Sequence, residues 1–130
     1  MADHRTSLGR ARGAGSAKTG VSRFIGERVS GVALIVLCLW AVMAALSLAS
    51  GGYDAARLWL TAPANATLLI LLALVSFYHM RLGMNVVIED YIERPITKAI
   101  LVMANTFACG GGAVLTLVCI LKVAFGGGAS

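Results

Sequence analysis

The chain has 130 residues, of which 58% are hydrophobic and 13% charged, with a mean hydropathy of +0.84 and a formal charge of +5. A soluble domain carries about 25% charged residues, so this composition describes an all-α membrane protein. It has room for about three spans of roughly 20 residues each and excludes a separate soluble catalytic domain. The basic balance also argues against a nucleic-acid partner: six of the eleven Lys and Arg lie in the first 28 positions, with no basic patch interleaved with aromatics.

Residues 1–22 are rich in Gly, Ala, Ser and Arg and lack periodicity. They are expected to form a mobile basic tail on the membrane surface, with His4 a solvated bystander. The remainder, 23–130, is expected to be a single membrane domain. No cleaved signal peptide is expected, because the first long apolar run begins only near Val29 and exceeds the length of a signal-peptide core.

The first span is predicted over 29–50 and ends in the turn chemistry of Gly51-Gly52-Tyr53-Asp54. The link from Tyr53 to Pro63 carries Trp59, Leu60 and Arg57, which suit a short segment at the headgroup boundary. Asn65-Ala66-Thr67 matches a glycosylation sequon but abuts a span and is read as chance. The second span is predicted over 64–88. A charged loop follows over 89–98, with Pro95 breaking the helix, and the third span is predicted over 99–125. In that third span Ala104, Ala108 and Gly112 recur at four-residue spacing, which lets another helix approach closely. Cys38, Cys109 and Cys119 all fall in apolar runs and read as small buried hydrophobes rather than as redox or metal groups.

Orientation follows from the basic residues. Residues 1–28 and the 89–98 loop hold eight Lys and Arg, against Arg57 and Lys122 on the other side. The positive-inside rule then puts the N-terminus and the 89–98 loop in the cytoplasm, or in the matrix of an organelle, and the C-terminus outside.

The second span carries the chemistry. His79 is the only histidine outside the tail, and an ionisable group inside a membrane is costly without a function or a partner. Three readings are open for it: a helix–helix hydrogen bond, a proton relay, or a metal ligand. Gly83 lies one turn further on the same face and leaves a flat recess beside the ring, where a porphyrin edge could approach. Arg28 lies at the mouth of the first span, and Arg81 can extend the same way, so both are candidate cations for haem propionates. With no second histidine in the spans, a six-coordinate haem requires a ligand from another chain.

Eleven residues separate His79 from Asp90, which places them about 20° apart around a helix and about 16 Å apart along it. Tyr91 at the water boundary is either a member of the aromatic belt or a donor to a quinone carbonyl. Asp90 either pairs with Arg94 or Arg28, or routes protons to such a site.

The motif His79-x3-Gly83-Met84-x2-Val87-Ile88-Glu89-Asp90-Tyr91 resembles the signature of the succinate dehydrogenase hydrophobic membrane anchors, the smaller of the two haem-b anchors of respiratory complex II. Phe24-Ile25-x2-Arg28 and Leu8-Gly9-Arg10 are similar to that family as well. The resemblance implies that His79 is one axial ligand of a haem b, the other coming from a second, haem-ligating anchor chain. It implies that Arg28 lies near the propionates and the quinone pocket, that Tyr91 hydrogen-bonds ubiquinone, and that Asp90 orders that site. The implied partners are this companion anchor, the iron–sulfur subunit, the flavoprotein subunit and membrane lipids. The implied location is the inner (cytoplasmic) membrane of a bacterium, and succinate oxidation would occur on a partner. The readings that compete are a fumarate reductase anchor and a structural anchor without a redox role.

Overall fold

The computed structural model describes residues 19–126 together with Thr6 and Leu8. Four helices follow one another: α1 (Thr19–Leu48), α2 (Gly52–Thr61), α3 (Pro63–Tyr91) and α4 (Pro95–Phe125). No strand occurs among the described residues. Three of the helices, Gly20–Leu48, Pro63–Tyr91 and Pro95–Phe125, are long and apolar enough to cross a membrane. Each of these three has 29 to 31 residues, or about 45 Å of helix against a hydrocarbon core of about 30 Å. Their ends therefore reach past the hydrocarbon into the headgroup region.

The helices are longer than the apolar runs that announced them. α1 starts at Thr19, so residues 19–22, assigned above to the tail, are helical; the rest of that tail, His4 included, lies outside the described residues apart from Thr6 and Leu8. α3 continues through Glu89 and Asp90 to Tyr91, and α4 already begins at Pro95, which leaves only residues 92–94 of the expected 89–98 loop non-helical. The reason is local. Pro63 and Pro95 occupy the first helical position of their elements, where a missing N–H costs nothing and a fixed φ favours the helix. Pro95 thus starts a helix rather than merely ending one. The turn between α1 and α2 relies on Gly52 at φ +66°, a conformation that suits glycine.

The short link is the amphipathic helix α2, and it closes the end of the bundle away from Asp90. Trp59 stacks on Trp40 of α1 with ring centroids 5.7 Å apart. Arg57 donates to the Gly126 carbonyl past the end of α4 at 3.2 Å. Asn65, the sequon residue, donates to the Trp59 carbonyl at 2.9 Å, so its amide nitrogen is already engaged.

α3 is the central element. It packs against both α1 and α4, which do not pack against each other. Buried polar groups and close approach fix the α3–α4 contact. Asn105 donates to Asn85 Oδ1 at 2.8 Å and to the Arg81 carbonyl at 3.0 Å, and Cys109 Sγ donates to Asn105 Oδ1 at 3.4 Å. Such bonds contribute about 0.6 kcal/mol each on average inside a bilayer. Gly112 makes room for a ring of the facing helix: a Cβ there would lie 2.6 Å from the Phe77 ring. Of the expected small-residue stripe, Gly112 therefore makes the close contact, while Ala104 and Ala108 line a groove.

Between α1 and α3 the ion pair Arg23–Glu89 spans 2.7 Å. Both side chains are partly exposed, which limits the contribution to about 1 kcal/mol or less. Tyr78 fills the space over Gly26, where a Cβ would lie 2.7 Å from the phenol oxygen.

Few apolar side chains are buried: Leu37, Leu82, Ile88, Cys109 and Ile120. Cys38 and Cys119, expected to be buried, are exposed on the chain's own surface. In a bilayer an outward position is also apolar, so hydropathy does not separate inside from outside.

Candidate functional site

His79 lies midway along α3 against α1. Its Nδ1 is 2.8 Å from the Ser30 hydroxyl, and Ser30 is buried at 6% exposure. The same hydroxyl donates to the Glu27 carbonyl at 3.2 Å. A serine has one proton to give. When that proton lies on Glu27, the oxygen accepts from His79, whose ring proton is then on Nδ1. Nε2 is then the lone-pair nitrogen, and it has no hydrogen-bond partner among the described residues. A neutral imidazole held through Nδ1–H with a bare Nε2 is the form that binds a metal ion.

The surroundings of that ring are flat. The His79 Cε1 edge lies over Gly31 of α1, where even an added Cβ would come to 3.5 Å. One turn along α3, Gly83 faces open space, with nothing within 4 Å of a Cβ built on it. Arg28 stands one turn from Gly31 on the same side of α1. It is exposed and lies over the Phe24 ring, 5.2 Å from its centroid. Arg81 does not join this group. Two residues from His79, it points about 200° around the helix and lines a cavity with Arg23 and Asn85, so the propionate role expected of it is not supported.

Beyond Gly83 the same open sector of α3 carries Val86, Val87 and Asp90, all exposed. Asp90 makes no hydrogen bond or ion pair with any described residue, so the pairing expected with Arg94 or Arg28 is not formed. The acidic neighbour that does pair is Glu89, held by Arg23 and donated to at its carbonyl by Lys98 at 2.8 Å. One residue decides this: 100° of helix rotation turns Glu89 toward α1 and Asp90 away. Tyr91 is 80% exposed. Its ring stands at the mouth of a 440 Å³ groove between α3 and α4, lined by Met84, Val87, Ile88, Leu101 and Ala104.

The profile of the succinate dehydrogenase/fumarate reductase transmembrane subunit matches residues 2–121. The chain belongs to that family. The succinate dehydrogenase hydrophobic membrane anchor subunit of Rickettsia conorii is 30% identical over 124 residues, covering 95% of both chains. Its namesake in Rickettsia bellii is 28% identical with the same coverage, and that of Rickettsia typhi is 26% identical over 123 residues. No solved structure matches the chain significantly.

As a membrane anchor of this family, the chain presents three residues that sequence pattern alone did not single out. Ser30 is hidden because a lone serine in an apolar run carries no periodic signal. Glu27 contributes only its backbone carbonyl. Gly31 is one of fifteen glycines, and its role is visible only once α1 lies against α3.

Proposed function

We propose that this anchor serves a succinate:ubiquinone oxidoreductase, with His79 as one axial ligand of a haem b and Tyr91 with Asp90 as its share of a ubiquinone site. The observation that carries the reading is the state of His79: Nδ1 engaged by buried Ser30, Nε2 bare, and glycine on both flanks. These residues fit a haem. His79 would hold the iron, Gly31 and Gly83 leave room for the flat ring, and Arg28 supplies a cation for propionates. When bound, a haem b supplies a one-electron redox centre inside the membrane.

The exposed sector of α3 is the surface on which a second, haem-ligating anchor chain would seat and bring the other ligand. Iron–sulfur and flavoprotein subunits would dock at the Tyr91 end, the side that the positive-inside rule favours for the cytoplasm or matrix. Succinate would be oxidised on those partners. At that end the Tyr91 hydroxyl donates a hydrogen bond to a quinone carbonyl, and the apolar groove beside it accepts the ring and the first part of the tail. Asp90, free of any partner among the described residues, passes protons from the aqueous side toward the carbonyl oxygens as the quinone is reduced. The curated relatives carry the succinate dehydrogenase name, which favours succinate oxidation over fumarate reduction.

The test is purification of the native complex in mild detergent with its absorption spectrum. A low-spin b-type spectrum that is lost in His79→Ala is expected. A fully assembled, colourless wild-type complex would refute the reading.

A further inference from the structure

The side of α3 turned away from His79 carries a second polar feature. Arg23, Arg81, Asn85, Tyr78 and Ser22 line a 430 Å³ cavity between α1 and α3. Arg81 Nε and Arg23 Nη2 are both buried and have no hydrogen-bond partner among the described residues. Arg23 is paired with Glu89 at 2.7 Å and lies 4.0 Å from Glu27, whereas Arg81 forms no ion pair among the described residues. The cavity also meets the first turn of α1, which holds no acidic residue and contributes the positive end of a helix dipole. A guanidinium with a desolvated, unpaired nitrogen on a membrane-spanning helix is unfavourable unless an anion completes it.

Two apolar grooves leave this cavity. One, of 520 Å³, runs along α1 and α3 past Ile25, Val29 and Val75, and shares Ser22 and Tyr78 with the cavity. The other, of 260 Å³, runs between α3 and α4 past Leu74, Phe77 and Gly110, and shares Tyr78 and Arg81. Tyr78 lines the cavity and both grooves. One open polar recess flanked by two apolar grooves offers places for the headgroup and the two chains of a diacyl lipid. A free inorganic anion would use the chamber and leave the channels without purpose.

We propose that this face binds one acidic phospholipid, with its phosphate on Arg81 and Arg23 and one acyl chain on each side of Tyr78. The guanidinium fork of Arg81 matches two phosphate oxygens, and basic pockets between membrane helices recognise such headgroups. The Asn85 amide, already held through its oxygen by Asn105, keeps its N–H2 for the headgroup.

The experiment uses the whole complex, stripped of lipid in detergent, with the wild-type anchor or with Arg81→Gln or Gly110→Leu. A Cβ at Gly110 meets nothing within 4 Å, so leucine there is tolerated by the helices and fills the narrower channel. Each sample is titrated with phosphatidylglycerol, phosphatidylcholine or inorganic phosphate. Bound lipid is counted by native mass spectrometry and the thermal midpoint is recorded. The wild type is expected to hold one phosphatidylglycerol, preferred over phosphatidylcholine by about tenfold, the scale of one charge-assisted hydrogen bond. Both variants are expected to lose that lipid while the spectrum of the complex is unchanged. Equal lipid binding by wild type and Arg81→Gln overturns the proposal, as does equal affinity for the two lipids. Stabilisation by inorganic phosphate alone overturns the lipid assignment. Loss of a subunit in Arg81→Gln with an unchanged lipid count would put a partner's carboxylate in the cavity and overturn it too.

Discussion

Replacing Ser30 by alanine isolates the contact on which the ligand form of His79 depends. The change removes one oxygen from a side chain that is 6% exposed and leaves His79 Nδ1 without its partner. The lost bond is short, at 2.8 Å, and no other described group is bonded to Nδ1. An unsatisfied buried donor costs about 1–3 kcal/mol, which corresponds to about 5–150-fold in an equilibrium constant. Loss of the group that orients a metal-bound histidine independently costs about 10–100-fold in affinity. Haem is therefore expected to leave the Ser30→Ala complex about 10–100 times more readily, measured as transfer to an excess of a haem-free acceptor protein. Ser30→Thr keeps the hydroxyl and is expected to restore retention. Wild-type haem retention and an unshifted haem midpoint potential in Ser30→Ala would show that Ser30 does not hold the ring and would refute the tautomer assignment.

Tyr91→Phe is expected to lower quinone reduction by at least about tenfold, the scale of one hydrogen bond lost to a polar group, with haem content and subunit assembly unchanged; equal loss of assembly and turnover would make the ring structural. Gly83→Leu is expected to leave the helices intact, since nothing lies within 4 Å of an added Cβ, but to reduce haem content in the purified complex, measured by its absorbance per subunit. Gly112→Leu is expected to do the reverse damage: a Cβ would lie 2.6 Å from the Phe77 ring, and such overpacking costs about 1–3 kcal/mol, read as a lower thermal midpoint and less assembled complex.

The all-helical fold and the order of the spans were legible in the sequence because a bilayer leaves little choice. A long apolar segment must satisfy its own backbone, and a helix does so locally. The same holds for the spacing of His79, Gly83 and Asp90, since helix rotation alone places them on one side. The helix ends were less legible: charge marked 89–98 as loop, but proline at the first helical position lets α4 start at Pro95, and Glu89 and Asp90 stay helical in the headgroup region.

What the sequence could not settle is which polar group meets which, because hydropathy is blind to the difference between a lipid-facing and a protein-facing side of a helix. Only the packing of α1 and α4 on opposite flanks of α3 brought Ser30 to His79, gave Arg23 to Glu89 rather than leaving a cation for Asp90, and turned Arg81 away from the imidazole. Those pairings are set by the angle between helices and by glycines at Gly26, Gly31 and Gly112 that allow close approach, and neither quantity is carried by the periodicity of a single span.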